Sequence, residues 1–211
     1  MGLANLPGFA VGLILFRTEG RHLQVLLSQP EWLRTWSDEW LLPETTLEAE
    51  ESISECADRL AASLSIQRPS PSTQLGTYTR GKLVVGALAT CYACVPHDAS
   101  IRRSPGAAYR WVGVEGLRSA RIFRDLALSV YAAIDALADD LQNVAKLISK
   151  PFFTVVELQQ ALNELRRLVG RAGQVDVRNL RRTLNDADWL MDTTDIRSDG
   201  AHRPSKLFMV K

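Results

Sequence analysis

The sequence predicts an α+β protein built in two parts, each with a fold of its own. Short apolar runs typical of strands, grouped around one amphipathic helix, extend to residue 118. Residues 151–211 have a different pattern, in which two capped helices are followed by a hairpin signal. A chain of 211 residues is long enough for each part to bury a core.

The first part begins with a predicted β-hairpin, because the apolar runs 9–17 and 22–28 are joined by turn residues. A helix is predicted over 50–64, with an apolar face formed by Ile53, Ala57, Leu60 and Leu64. Further strands are predicted at 74–79, 82–95 and 109–112. This order of elements indicates a sheet covered by at least one helix.

One long helix is predicted over residues 119–147, where apolar side chains recur at helical spacing. Such a helix is long enough to link two domains or to pack against its counterpart in a dimer. We therefore expect a connecting or dimerisation segment over 119–150, between domains at 1–118 and 151–211.

Composition and charge limit the classes of function. Hydrophobic residues make up 46% of the chain and charged residues 23%, which is ordinary for a soluble globular protein. The apolar run at 9–16 is too short to span a membrane, and three cysteines without a secretory signal indicate a cytoplasmic protein. The net charge is only +1, and residues 151–211 carry 10 basic against 8 acidic side chains. Attraction to a polyanion therefore has to come from local clustering.

Cys91 and Cys94 form a C-x-x-C pair, with His97 three residues further on. The surrounding residues predict a buried strand, on which residues three apart point to opposite faces. A metal site also needs a fourth ligand and a turn, so we expect no metal here.

The C-terminal part begins with a capping box, in which Thr154 is the N-cap and Glu157 lies three residues later. Gly170 and Gly173 end this helix, and Asp176 is placed to cap the next. The tract RSDGAHRPSK then indicates a hairpin. Helix, glycine turn, helix and hairpin is the order of a winged helix-turn-helix.

The second of these helices carries a cationic face. Arg178, Arg181 and Arg182 lie on one side of a helix, with Asn179 at its edge. Arginine and asparagine are the side chains that contact base edges and phosphates in DNA. The alternative is a solvated surface, or ion pairs of Arg181 or Arg182 with the acidic residues Asp186 and Asp188.

We assign provisional roles to these residues on that hypothesis. Arg178 and Asn179, near the start of the helix, approach base edges, while Arg181 and Arg182 contact phosphates. On the hairpin, Arg203 and Lys206 contact the backbone or enter a minor groove, with His202 a weaker candidate. Double-stranded DNA is therefore the expected partner.

Both parts resemble a known family. The segment 40–66, with Trp40-Leu-Leu-Pro43, Glu50-Glu51-Ser52-Ile53, Ala57-Asp-Arg-Leu60 and Ser65-Ile66, has the length and apolar rhythm of a Nudix box. Residues 108–117 fit a later part of a Nudix domain. The tracts PFFTVVELQQAL, DVRNLRRTL and HRPSKLF are similar to the winged-helix domain of the Nudix-related transcriptional regulators of the NrtR type.

This resemblance implies a Nudix-like α/β/α sandwich followed by a winged helix-turn-helix domain. It also implies a homodimer that binds a palindromic operator and a small effector, often ADP-ribose. Candidate effector contacts are cationic side chains and aromatic side chains that stack on a base or sugar, namely Arg34, Trp36, Tyr78, Arg80 and Lys82. The alternative for the tryptophans, including Trp32, is packing in the core.

The Nudix box departs from the pattern of working hydrolases, R-E-U-x-E-E-x-G, whose glutamates hold a divalent metal. With the box aligned over 44–66, Glu50 remains, but Asp58-Arg59 replace Arg-Glu and Ala62-Ser63 replace the glutamate pair. Ser65 stands where the glycine belongs. We therefore expect no enzyme activity, no catalytic residues, no metal and no cofactor.

Two alternatives remain open. A divergent Nudix hydrolase would place its metal with carboxylates outside the signature, such as Glu44, Glu48 or Glu51. A constitutive DNA-binding or protein-interaction module would use the Nudix part only as a dimerisation scaffold.

Overall fold

The computed structural model describes residues 9–20, 22–66, 73–79, 87–95, 101, 106–117, 119–120, 122, 124–148, 152–197 and 205–211. The chain forms two compact units, Met1–Ala133 and Ile134–Lys211. In the described part of the chain no helix has the length and apolar character to cross a membrane.

A mixed sheet forms the first unit. Its strands are β1 (Ala10–Glu19), β2 (His22–Pro30), β3 (Glu44–Thr46), β4 (Thr73–Thr79), β5 (Ala87–Cys94) and β6 (Ala107–Gly113). Their order is β4-β5-β1-β2-β6, with β3 also paired to β1, and only the β1–β5 pair is parallel. Strand β1 is central because its side chains from 10 to 16 are buried on both faces. The predicted first hairpin is confirmed, with Glu19 opposite His22.

Helices α1 (Glu31–Arg34) and α2 (Ile53–Ser63) lie before and after β3 in the sequence. Ser52 caps α2, accepting a hydrogen bond from the Glu55 backbone N–H while the Glu55 carboxylate accepts one from the Ser52 N–H. Ala57 and Leu60 pack with buried residues of β1 in the core. The predicted helix over 50–64 is therefore confirmed, and its apolar face holds it on the sheet.

The prediction of one continuous helix over 119–147 is wrong. The chain instead forms α3 (Arg124–Leu137) and α4 (Leu141–Leu147). Asp140 separates them, since its backbone is not helical and its carboxylate accepts a hydrogen bond from the Asn143 N–H at 3.1 Å. An aspartate that caps a new helix competes with continuation of the old one, and apolar spacing alone does not reveal this.

The second unit contains α5 (Val155–Leu168), α6 (Val177–Asn185) and the antiparallel strands β7 (Leu190–Arg197) and β8 (Ser205–Val210). The predicted order of helix, turn, helix and hairpin is confirmed. Phe153 joins the hairpin to the start of α5, because its N–H and C=O each form a 2.9 Å hydrogen bond with Phe208. The two buried rings stack with centroids 6.0 Å apart.

Phe208→Ala is expected to lower the free energy of unfolding by about 3 kcal/mol, because it empties a fully buried ring position. Denaturant titration followed by circular dichroism measures this. Met191→Ala on β7, where the side chain is 45% exposed, is the control and should change stability by no more than about 0.5 kcal/mol. Equal losses in the two variants would contradict the packing described here.

Candidate functional site

The turn between α5 and α6 begins with a glycine-dependent helix end. Gly170 adopts a φ of 75°, and its N–H donates to the Arg167 carbonyl at 3.1 Å. The Arg171 N–H reaches the Arg166 carbonyl at 2.8 Å. This pair of hydrogen bonds is the Schellman arrangement, which stops a helix and turns the chain sharply. The sequence prediction that Gly170 ends the helix is confirmed.

Side chains of α5 then fix the far end of the same turn. The Val175 N–H donates to the Asn163 carboxamide at 2.8 Å, and the Gln159 carboxamide donates to the Val175 carbonyl at 2.7 Å. Neither Gln159 nor Asn163 was predicted from the sequence to fix this turn. The sequence signal that could have identified them is their spacing of four, which places both side chains on one face of α5.

Arg171 connects the turn to the end of α3. Its guanidinium donates to the Asp135 carboxylate at 2.6 Å, to the Asp135 carbonyl at 3.0 Å, and to both oxygens of Asp139 at 2.7 and 2.9 Å. These hydrogen bonds hold the pKa of the Asp139 carboxyl below its usual value. Nothing local in the sequence pairs residues so far apart, so this link was not predicted.

Helix α6 presents the predicted cationic face to solvent. The Asp176 carboxylate accepts a hydrogen bond from the Asn179 N–H at 2.7 Å and caps the helix. Leu180 and Leu184 are buried beneath it, whereas the side chains predicted to bind DNA are all exposed: Arg178, Asn179, Arg181 and Arg182. In the described ranges, neither Arg181 nor Arg182 forms an ion pair with Asp186 or Asp188.

Lys206 adds a cation from the hairpin to those of α6. Lys206 is exposed on β8, and its ammonium lies 5.1 Å from the centroid of the Phe208 ring. Arg203 and His202 lie outside the described residues.

In the first unit, the Nudix-like box is occupied by an ion pair. Arg59 stands where the signature has a glutamate, and its Nε donates to Glu51 at 2.8 Å while Nη2 donates to the second Glu51 oxygen at 2.9 Å. Ala62 and Ser63, at the positions of the glutamate pair, are exposed. Ser65 has a φ of 58°, the left-handed backbone that the signature glycine provides. The chain therefore keeps the left-handed backbone at the glycine position, while the glutamate pair of the signature is replaced by Ala62 and Ser63.

The Arg59 guanidinium lowers the pKa of the Glu51 carboxyl to about 2, chiefly by hydrogen bonding. The same pair raises the pKa of Arg59. Nearby, burial raises the pKa of the Cys56 thiol to about 11. In the ranges that the structure describes, no group of three His, Cys, Asp or Glu side chains is placed to hold a metal ion.

Three of the five residues predicted to bind an effector lie in the part of the chain that the structure describes. Arg34 on α1 and Trp36 in the following turn are exposed, Trp36 to 85%. Trp32 is 54% exposed, so core packing is the wrong explanation for Trp32 and Trp36. Tyr78 belongs to β4, while Arg80 and Lys82 lie outside the described residues.

The C-x-x-C pair lies on β5, as the strand prediction required. Cys94 is buried and not in a disulfide. His97 lies outside the described residues.

The first unit is a Nudix-like sheet, and the second is a winged helix with an exposed cationic helix. Together these two units define the fold class of the protein. Residues 144–210 match the family model of the NrtR DNA-binding winged helix domain. This match confirms the resemblance of the C-terminal part to the NrtR type. No curated protein sequence matched the chain.

Solved structures share the complete architecture. The fold matches Shewanella oneidensis NrtR with a TM-score of 0.74 at 22% identity, over 96% of this chain and 94% of that one. NrtR of the same organism complexed with a 27mer DNA gives 0.72 at 21%, over 96% and 93%. The NUDIX domain of that protein complexed with ADP ribose gives 0.54 at 18%, over 63% of this chain and 90% of the other. These likenesses confirm the predicted fold, a Nudix-like domain followed by a winged helix-turn-helix.

The Glu51 carboxyl gives the stability of the protein a pH dependence. Its folded pKa of about 2 lies below the ordinary glutamate pKa of 4.5, so the unfolded chain takes up the proton first as the pH falls. The stabilisation is complete above pH 4.5 and is lost as the pH falls towards 2. Glu51→Gln should therefore flatten this part of the stability profile by about 1 to 2 kcal/mol, discounted because Arg59 is partly solvated. Denaturant titrations between pH 2 and 7 measure the difference.

Glu48→Gln is the matched control for this experiment. Glu48 lies 3.4 Å from Arg59, but its side chain is 68% exposed. The free energy of unfolding of Glu48→Gln should depend on pH as that of the unmodified protein does. A flattening as large as that of Glu51→Gln would show that the pair with Glu51 has no special role.

Proposed function

We propose that this protein is a DNA-binding transcriptional regulator whose Nudix-like domain binds a small nucleotide- or sugar-type effector without hydrolysing it. The observation that carries DNA binding is the outward face of α6. There Arg178, Arg181 and Arg182 are exposed on a capped helix whose opposite side is buried. This helix lies within the region that matches the NrtR DNA-binding domain.

The roles of the individual side chains follow from their places on α6. Arg178 and Asn179 belong to its first turn, the part of a recognition helix that approaches base edges in the major groove. Arg181 and Arg182 lie one turn further and bind phosphates. Lys206 and Arg203 are proposed to bind the backbone or an adjacent minor groove.

A palindromic operator requires two copies of α6, so we propose a homodimer. Support comes from the outward face of α3, where Leu128 is 62% exposed, Ala132 is exposed and Tyr131 is half-buried. An apolar stripe on a surface helix is stabilised when a second helix covers it. We accordingly retain residues 119–150 as a connecting and dimerisation segment, now built of two helices.

Coupling between the two functions is proposed to run through α3. This helix begins in the first unit and ends in the second, where Arg171 ties its last turn to the turn before α6. A change in the direction of α3 would therefore carry the recognition helix with it. The effector can shift DNA affinity only by the difference in its own affinity for the two arrangements.

The effector class is inferred from the fold and from exposed side chains. The NUDIX domain of Shewanella oneidensis NrtR was solved with ADP ribose, which makes a nucleotide-sugar the first ligand to test. Trp36 and Tyr78 are proposed to stack on a base or sugar, and Arg34, Arg80 and Lys82 to bind anionic groups. Hydrolysis is not expected, because Arg59, Ala62 and Ser63 replace the glutamates that hold the catalytic metal.

DNA binding is tested with a selected operator and a scrambled duplex over a range of salt concentrations. Arg181→Ala should weaken binding to both duplexes alike and reduce the slope of log K against log salt by about one unit. Asn179→Ala should cost about 1 to 3 kcal/mol on the operator alone and so relax sequence preference.

The matched control is Arg167→Ala, which removes an exposed arginine of α5 that is paired with Glu164. It should leave both affinities and the slope unchanged. If all three variants bind like the unmodified protein, α6 is not the recognition helix.

Effector binding without hydrolysis is tested with ADP-ribose in Mg²⁺. The midpoint of thermal unfolding should rise with ADP-ribose concentration, because a ligand of the folded state stabilises it. Chromatography of the same samples should recover ADP-ribose intact. Release of AMP would support the hydrolase alternative, and an unchanged midpoint would support a constitutive DNA-binding module.

A further inference from the structure

Arg59 connects α2 to the segment 44–51 through an unusually complete set of contacts. Besides the two bonds to Glu51, Nη2 donates to the Thr46 carbonyl at 2.8 Å and Nη1 donates to the Thr45 hydroxyl at 3.3 Å. The Glu48 carboxylate lies 3.4 Å from Nη1. One cationic group therefore gathers oxygen atoms from β3 and from the loop that follows it.

In a Nudix fold this is the region where glutamates gather around a divalent cation. The residues present do not fit such a cation. A guanidinium carries no lone pair that can ligate a metal, and it already holds both oxygens of Glu51, whose side chain is only 13% exposed. The remaining signature positions, Ala62 and Ser63, supply no carboxylate.

We propose that Arg59 is a built-in replacement for the divalent cation of the Nudix fold. Its charge compensates Glu51, and its four hydrogen bonds to oxygen hold β3 and the loop after it against α2. The domain consequently needs no metal for its stability. This inference stands whether or not the domain binds an effector.

The same arrangement restricts where an anionic ligand binds. Residues 48–51 carry Glu48, Glu50 and Glu51, and the Arg59 guanidinium that faces them is already engaged. A phosphate placed here would meet net negative charge without a metal to offset it. The anionic groups of an effector therefore bind outside the box, in contrast to the substrate of a metal-dependent Nudix enzyme.

The test measures thermal unfolding of the full chain in EDTA and in millimolar MnCl₂. The unmodified protein should show the same midpoint in both, within about 1 °C. Arg59→Gln should lower the midpoint in EDTA by roughly 3 to 6 °C, because Glu48 and Glu51 lose their counter-charge. Mn²⁺ should restore part of that loss, since two uncompensated carboxylates then attract a cation.

Arg167→Gln is the matched control, because it removes an arginine with an equally short carboxylate contact, 2.6 Å to Glu164, far from the box in sequence. It should not respond to Mn²⁺. The proposal is overturned if the unmodified protein gains as much from Mn²⁺ as Arg59→Gln does, or if Arg59→Gln is insensitive to the metal.

The double variant Glu51→Gln/Arg59→Gln provides a second measurement should the single variant not fold. Removing the carboxylate together with its counter-charge should give a folded protein with no Mn²⁺ response. A midpoint of the double variant that rises in Mn²⁺ would place the metal elsewhere and overturn the proposal.

Discussion

The placement of α6 depends on the turn that precedes it. A helix of nine residues is marginal by itself in water, so its stability comes from tertiary contacts. Leu180 and Leu184 supply the buried side, and the hydrogen bonds that join Val175 to Gln159 and Asn163 fix the entry of the chain. Because these contacts bury one side of α6, its arginines lie on the opposite, solvent-exposed side. The geometry of a DNA-binding surface is thus a consequence of packing beneath it.

In each of the two units, an arginine compensates the negative charge of neighbouring carboxylates. In the Nudix-like unit Arg59 compensates Glu51, and in the winged-helix unit Arg171 compensates Asp135 and Asp139. Each guanidinium uses several of its donors on carboxylates and on a backbone carbonyl, which fixes direction as well as charge. The arginines of α6 are different, because they are exposed and form no ion pair within the described part of the chain. This contrast separates structural cations from those available to a polyanion.

Local signals in the sequence predicted α2, the two helices of the second unit and the two hairpins, but not α1, β3 or the break between α3 and α4. Capping boxes at Ser52 and Thr154, the cap at Asp176 and the glycine at 170 fix where helices start and stop through hydrogen bonds within a few residues. The hairpins follow equally from nearby turn residues. The interruption at Asp140 was missed because the apolar spacing continues across it. A periodic pattern of apolar residues does not show that a single polar side chain, here Asp140, caps a new helix.

The sequence by itself determined the fold class, the cationic face of α6 and the loss of the Nudix glutamates, since each depends on residue identity at fixed local spacing. Only the tertiary structure decided how Arg59 and Arg171 are used, and that Trp32 and Trp36 face solvent. Contacts such as Arg171 with Asp135 join residues distant along the chain. Their energy depends on distance and burial in three dimensions, which no local pattern encodes.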